Sequence, residues 1–403
     1  MIDFSWHRRA QDAIAQAALT NSKRPECHVL GVYPTHLRRG LGCHVWDTQG
    51  KQYVDFICGL GTNIIGYANE KVNRAMAAQL SYGASLSLGT TTEVEAAEKL
   101  KELFPFAQAV KFLKTGSEAC SAAIRIARAK TGRDLVLSDH YHGWHDEFVS
   151  LTPPALGVPE IGGMRPIAKL GQIPIQDDVA AVIIEPIVTD ASRERIEYLK
   201  RLREECTRKG VMLIFDEVIT GFRTPKYSVA AQYGIEPDLI VLGKAIANGM
   251  PLAAVGGKYD VMNCAEYFVS STYAGETITL AAAKETMRLL QTQYSMDDLW
   301  LHGRHFQEQF NALWPEGIWI EGYPSRGVFR AKDDETKAIF FQEACKAGVL
   351  FGPSFFFNFA HLPEYKAVLG LCRDILVRVR NGEVKLEGEL PRSPFAQKVR
   401  EAK

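Results

Sequence analysis

The sequence predicts an α/β protein: a mostly parallel central sheet flanked by helices, with a smaller α+β domain drawn from both chain ends. Three observations lead there. Short apolar runs recur at Val110 to Leu113, Leu135 to Leu137, Val179 to Ile184, Val211 to Phe215, Leu239 to Leu242 and Leu252 to Val255, and these read as buried strands. Helix-patterned segments such as Glu118 to Lys130 and Glu194 to Lys209 lie between several of them. Finally, several runs end in residues capable of chemistry, and in sheets of this kind ligands gather at the carboxyl ends of the strands. Those ends are Lys114-Thr115-Gly116-Ser117-Glu118, Ser138-Asp139-His140-Tyr141-His142-Gly143, Glu185-Pro186, Asp216-Glu217 and Lys244.

The flanks read differently. Arg8-Arg9 precede Ala10 to Leu19, but Gln11, Asp12 and Gln16 interrupt any leader-like apolar core, so the segment is expected to be an amphipathic helix. A hairpin is expected around Asp47-Thr48-Gln49-Gly50. From about residue 285 the pattern gives a helix, a β-rich stretch near Gly327 to Ala331 and two further helices. Residues 1–55 and 285–403 are therefore assigned to one small domain and 56–284 to the large one. Pro391 to Lys403 reads as a loosely held tail.

At 403 residues, 46% of them apolar, the chain can bury ample core. Lys plus Arg and Asp plus Glu both number 47, so no basic field invites nucleic acid or an anionic membrane surface. Small molecules and copies of the same chain are the expected partners. The eight cysteines include no C-x-x-C pair, which predicts neither zinc nor a disulfide scaffold and suits a reducing, cytoplasmic setting. No run approaches the roughly 18 apolar residues of a membrane span. His140, His142 and His145 have no carboxylate or cysteine at ligand spacing, so no metal is expected.

Lys244 follows the apolar run Leu239 to Leu242, where a charged amine is costly unless it is paired, neutralised or covalently used. Burial lowers a lysine's pKa and makes the amine a nucleophile toward carbonyls. Taken alone, the segment also suits a lysine that snorkels from a strand end. Gly116-Ser117-Glu118 opens a helix after a strand, which suits a phosphate at the helix N-terminus and equally an ordinary Ser cap. Asp216 closes another apolar run and needs a cation or protonated ligand. Val218 can pack beneath a flat ring, with Tyr141 or His142 over the other face. Together these residues describe a site for a planar, phosphorylated, aldehyde-bearing cofactor.

From about Gly31 to His361 the chain resembles the class III pyridoxal-phosphate aminotransferases of fold type I. The resemblance rests on Thr115-Gly116-Ser117-Glu118-Ala119, Tyr141-His142-Gly143, Glu185-Pro186, Asp216 through Arg223, Gly243-Lys244-Ala245 and Ser271-Thr272-Tyr273, in that order. It implies pyridoxal 5'-phosphate (PLP) as cofactor, with Lys244 forming its Schiff base and shuttling the proton, and Asp216 keeping the ring nitrogen protonated. It further implies Tyr141 stacked opposite Val218, His142 within the cofactor motif, and Gly116 and Ser117 on the phosphate. Thr272 would reach the phosphate of the other subunit, in a homodimer with shared active sites.

Ser87 through Glu95 and Gly348 through Ser354 are most similar to the glutamate-1-semialdehyde aminomutase branch. Departures concentrate where substrate would lie. Gly59-Leu60-Gly61 stands where that branch usually has Ser-Trp-Gly, and Pro25 through Gly31 shows no recognisable carboxylate-binding arginine segment. Ile187-Val188-Thr189-Asp190 and Ala274-Gly275-Glu276-Thr277 also depart from the family pattern. Leu60, Asp190 and Glu276 are thus the candidate substrate residues. Asp190 facing the pocket would favour a cationic or hydroxyl-rich substrate; its other reading is a cap for the helix near Ser192.

The expected activity is amino transfer from an amine or amino-acid donor to a keto or aldehyde acceptor by a ping-pong mechanism. The close rival is an intramolecular 2,1-aminomutase, and decarboxylation or racemisation would use the same cofactor. The rival of another class is a binding protein that keeps the fold without catalysis.

Overall fold

A computed structural model describes residues 2–139, 141–152, 154–159, 161–167 and 175–395. The chain forms two compact units: Met1–Leu60 with Ile65–Ala68 and Leu301–Lys403, and Gly61–Ile64 with Asn69–Trp300. The larger unit thus continues past residue 284. The helix Thr277–Thr292 buries Leu280, Ala282, Ala283, Met287, Leu289 and Leu290, and the Thr277 hydroxyl donates to the Gly83 carbonyl at 2.7 Å.

The larger unit is built on seven strands: Ala109–Leu113 (β1), Leu135–Ser138 (β2), Met164–Pro166 (β3), Val179–Ile184 (β4), Met212–Glu217 (β5), Leu239–Leu242 (β6) and Ala253–Gly257 (β7). Their order is β1-β7-β6-β5-β4-β2-β3. Pairing is parallel throughout except at β7, which runs antiparallel to both β1 and β6. Every residue of β4 and β6 is buried, as their unbroken apolar runs require.

Helix α1, Gly116–Thr131, lies on this sheet through Ala119, Cys120, Ala122, Ala123, Ile124, Ile126 and Ala127. Its small residues permit close approach to Ala181, Ile183, Ile214 and Val241. The Thr115 hydroxyl accepts the Glu118 amide at 3.2 Å, while the Glu118 carboxylate accepts the Lys114 and Thr115 amides, both at 2.9 Å. The helix stops at Gly132, whose φ of +67° an L side chain would resist. Helix α2, Arg193–Lys209, starts on a Ser192 cap and stops at a left-handed Gly210 in the same way.

The smaller unit has a sheet of Leu37–Leu41, His44–Asp47 and Gln52–Asp55, antiparallel in that order, with Val349–Leu350 added parallel to Gln52–Asp55. The hairpin at Asp47 closes as expected: its Oδ1 accepts the Gln49 and Lys51 amides, each at 2.9 Å. A second sheet, Ile318–Tyr323, Arg326–Ala331 and Ser354–Phe356, packs a core of Phe56, Phe306, Phe310, Phe329, Phe340, Phe351 and Phe355.

The N-terminal helix differs from expectation: it covers Ser5–Ala13 and ends at an extended Ile14. Gln16 and Ala17 turn left-handed and Leu19 is exposed, so residues 14–19 have no apolar face to bury against a helix partner. Of the polar tail, residues 396–403 lie outside the described residues.

The turn Cys58–Gly61 carries positive φ at each position: 51° at Cys58, 60° at Gly59, 64° at Leu60 and 85° at Gly61. Left-handed backbone costs a non-glycine residue about 1–2 kcal/mol. The Cys58 thiol, with one proton to share, stands 3.4 Å from the Asp55 carbonyl and 3.3 Å from the Phe356 carbonyl, and it accepts from Asn358 Nδ2 at 3.4 Å. Among the described residues no helix is long and apolar enough to cross a membrane.

Candidate active site

The sheet register brings the chemistry to one edge. Asp216 pairs with Val241 and Glu217 with Leu242, so the end of β5 stands beside the end of β6, two residues before Lys244. Gly243 is extended, and Lys244 then turns left-handed at φ 42°, opening a short 3₁₀ turn to Ala247.

Val218 ties three strand ends together. A Cβ on Gly116 would sit 3.0 Å from Val218 Cγ1, and one on Gly243 3.2 Å from the same methyl. The valine therefore lies against bare backbone from the N-terminus of α1 on one side and the residue before Lys244 on the other. At that N-terminus the Gly116 and Ser117 amides make no hydrogen bond among the described residues. They are two of the unpaired donors with which a helix receives an anion. Ser117 is buried, its hydroxyl accepts the Trp144 amide at 3.2 Å, and a Cβ on Gly143 would come within 2.5 Å of it. Gly143, at φ +126°, lets the Tyr141-His142 segment close down on the helix end.

Asp216 is buried and its carboxylate is largely engaged. Oδ1 accepts the Val218 amide at 3.0 Å, while Oδ2 takes His142 Nδ1 at 2.8 Å and the Cys120 thiol at 3.5 Å. A carboxylate offers about four acceptor positions, so room is left for one more donor, such as a ring N–H. His142 also meets Asp139 Oδ1 through Nε2 at 3.0 Å. Burial would pull the His142 pKa down, but the hydrogen bonds from Asp139 and Asp216 outweigh it and push the pKa up to about 10. Tyr141 is about half exposed; burial of the remainder, together with Cys120 and Asp216 nearby, raises its hydroxyl pKa.

A donor-lined helix end, a carboxylate with one acceptor position left, a valine floor between glycines and a strand-end lysine fit a flat, phosphorylated carbonyl compound. Comparison with known proteins decides the family. The model for "Aminotransferase class-III" matches residues 29–159 and 160–357. The chain belongs to the class III aminotransferases. Its cofactor is accordingly PLP, and it is a PLP-dependent enzyme.

Among relatives of this class III enzyme is a glutamate-1-semialdehyde 2,1-aminomutase of Nitrosomonas europaea, 32% identical over 81% of this chain and 85% of the relative. The protein of that name from Syntrophobacter fumaroxidans is 30% identical over 85% and 89%. In fold the enzyme is similar to the FumI protein of Sphingopyxis sp. MTA144, described as its PLP internal aldimine form, with a TM-score of 0.86 at 24% identity over 96% of this chain and 98% of that one. It is also similar to an omega-transaminase from Sphaerobacter thermophilus, with a TM-score of 0.79 at 24% identity over 93% and 97%.

Gly116, Ser117, His142, Asp216, Val218 and the Gly243-Lys244 pair thus come together in one unit, with Tyr141 beside Asp216 and Cys120. Thr272 lies in the turn 272–275 and is itself exposed. Two of the expected substrate residues have local structural work. Glu276 caps Thr277–Thr292, accepting the Ile278 and Thr279 amides, and pairs with Lys114 Nζ at 3.1 Å. Burial would raise its pKa, but hydrogen bonds from Thr279, the Ile278 amide and Lys114 hold it below its ordinary value. Asp190 is exposed and accepts the Ser192 amide at 2.8 Å, so Ser192 and not Asp190 caps α2. Leu60 belongs to the left-handed turn of the smaller unit.

Folding also assembles what sequence spacing does not reveal. Cys120, His142 and Asp216 bring metal-ligand-type atoms within 4.8 Å of one another, and their hydrogen bonds through Asp216 account for the grouping. His145 is engaged with Ser121 at 2.7 Å, and His140 lies outside the described residues. Asp139 and Arg195 were not among the expected site residues. A carboxylate one residue past β2, just before Tyr141-His142, was the available signal.

Proposed function

We propose that this enzyme moves an amino group from a small-molecule amine or amino-acid donor to a keto or aldehyde acceptor in two half-reactions. The observation that carries this reading is the meeting of Lys244, Asp216 and the N-terminus of α1 around Val218. When bound, PLP supplies an electron sink for the carbon that bears the amine. Lys244 Nζ would hold the cofactor's carbonyl carbon and, once displaced by the donor amine, would carry a proton from the substrate carbon to the carbon it had held. Asp216 would hold the ring-nitrogen proton, the Gly116 and Ser117 amides would hold the phosphate, and Tyr141 and Val218 would flank the ring. A panel of carbonyl acceptors offered to the amino-loaded enzyme is expected to yield a new amine, with a separate keto product from the donor.

A second reading, an aminomutase in which one molecule is both donor and acceptor, is favoured by the names of the relatives at 30–32% identity. Isomerisation of a single substrate with no external acceptor is the result that selects it.

We further propose a homodimer in which Thr272 reaches the partner's cofactor phosphate. Leu80, Tyr82, Leu86 and Leu88 in one segment and Phe268 and Tyr273 in another are exposed apolar side chains. The Thr277 amide, four residues after Tyr273, donates to the Ala84 carbonyl of the first segment at 2.8 Å. Such a patch is costly to leave in water. Sedimentation of the purified protein is expected to give a dimer; a monomer at micromolar concentration removes the proposal.

A further inference from the structure

Behind Asp216 lies a buried row of alternating charge that the reaction as described does not use. His142 is sealed from solvent, and each of its ring nitrogens faces a carboxylate oxygen: Asp216 at 2.8 Å and Asp139 at 3.0 Å. A carboxylate only accepts, and a neutral imidazole carries one N–H, so two such partners at these distances require both nitrogens to be protonated. Asp139 is itself supported. Its Oδ1 accepts the Glu185 amide at 3.2 Å, and the Arg195 guanidinium stands 4.0 Å from its Oδ2. Arg195, buried at the start of α2, is fixed by donating to the Pro186 carbonyl at 2.9 Å and the Glu185 carbonyl at 3.1 Å. The sequence of charges is therefore plus at Arg195, minus at Asp139, plus at His142 and minus at Asp216, which balances four buried ions.

We infer that Asp139, held by Arg195, is a positioning residue that keeps His142 doubly protonated, so that a charge-assisted hydrogen bond fixes Asp216 where it meets the ring nitrogen of PLP. This rests on the cofactor site described above, and the new role is that of Asp139 and Arg195, which stand behind His142. Other elements meet His142 and its carboxylates as follows. Helix α1 presents the Cys120 thiol, which burial raises and so keeps protonated. The short helix Asp146–Val149 presents the apolar ring of Phe148, 5.5 Å from the imidazole, and β4 ends at the buried Glu185, whose amide meets Asp139. With Asp139 uncharged, His142 keeps one carboxylate and needs only one proton to satisfy it.

The test uses the full-length protein free of cofactor, labelled with ¹⁵N-histidine, the His142 signals being assigned by their loss in His142→Gln. The wild type is expected to show two N–H-bearing nitrogens for His142 at pH 8. Asp139→Asn is expected to bring its deprotonation midpoint down by about two pH units, and Asp139→Glu to restore it. A neutral His142 in the wild type at pH 8 overturns the inference, as does an unmoved midpoint in Asp139→Asn. Should that variant not fold, the wild-type spectrum alone decides. A titration of the wild type with PLP runs beside it: absence of binding counts against the cofactor site and leaves the histidine result standing.

Discussion

Lys244→Ala is expected to lower kcat/KM by roughly 10³-fold or more, because in the proposed reaction one amine serves as both covalent anchor and proton carrier. The loss should be chemical and not structural. Lys244 is a single half-buried side chain at a strand end, and the fully buried β6 before it is untouched by the change. Borohydride treatment followed by peptide mass mapping supplies the decisive readout. Wild-type protein should retain the cofactor's mass on the peptide containing Lys244, and the variant should retain none. Activity within tenfold of wild type would remove Lys244 from the mechanism. Wild-type protein that keeps no cofactor after reduction would favour a fold retained for binding alone.

Asp216→Asn is expected to cost about 10²–10³-fold in kcat, the usual effect of deleting one preorganised charge-stabilising group. The neutral amide no longer holds a proton on the ring nitrogen, and its NH₂ competes with the N–H of His142 and the thiol of Cys120 for the same space. A second effect follows on stability. The His142 pKa is about 10 against an ordinary 6.5, so its contribution is fully present below about pH 6.5 and is lost as pH rises through about 10. Removing one of its two carboxylates lowers the upper limit, so the variant should begin losing stability at lower pH than the wild type. Thermal unfolding across pH 6 to 11 checks this. Activity within tenfold of wild type, or superimposable pH–stability curves, would argue against the assigned role.

The parts of this site that were legible in the sequence are those that parallel β-structure makes local. Asp216, Lys244 and Gly116-Ser117 each follow an apolar run directly, so strand ends could be read from the runs and their convergence followed from the topology. Residues whose role depends on distant partners were not legible. Glu276 stands out in the sequence because it breaks a family pattern, while the three donors and Lys114 that engage it come from positions that spacing does not reveal. Asp139 and Arg195 meet only because β2 and β4 are neighbours in the sheet. The N-terminal helix is shorter than its pattern predicts because the polar and apolar alternation continues past Ile14, while the chain turns extended there and Leu19 is exposed. The left-handed Leu60 had no signal beyond the two flanking glycines.

The position of Val218 between two glycines also bears on how this enzyme can diverge. Its methyls fill the space that a side chain at 116 or 243 would occupy: a Cβ there would lie only 3.0 or 3.2 Å from Val218 Cγ1, inside ordinary contact distance. The three positions therefore form one mutational unit. An alanine at 116 or 243 requires the Val218 side chain to give by a few tenths of an ångström, and a bulkier residue at 218 presses on both backbones. Coupling of this kind makes substitution order matter. It leaves the floor of the site among the last places where a descendant of this chain could change.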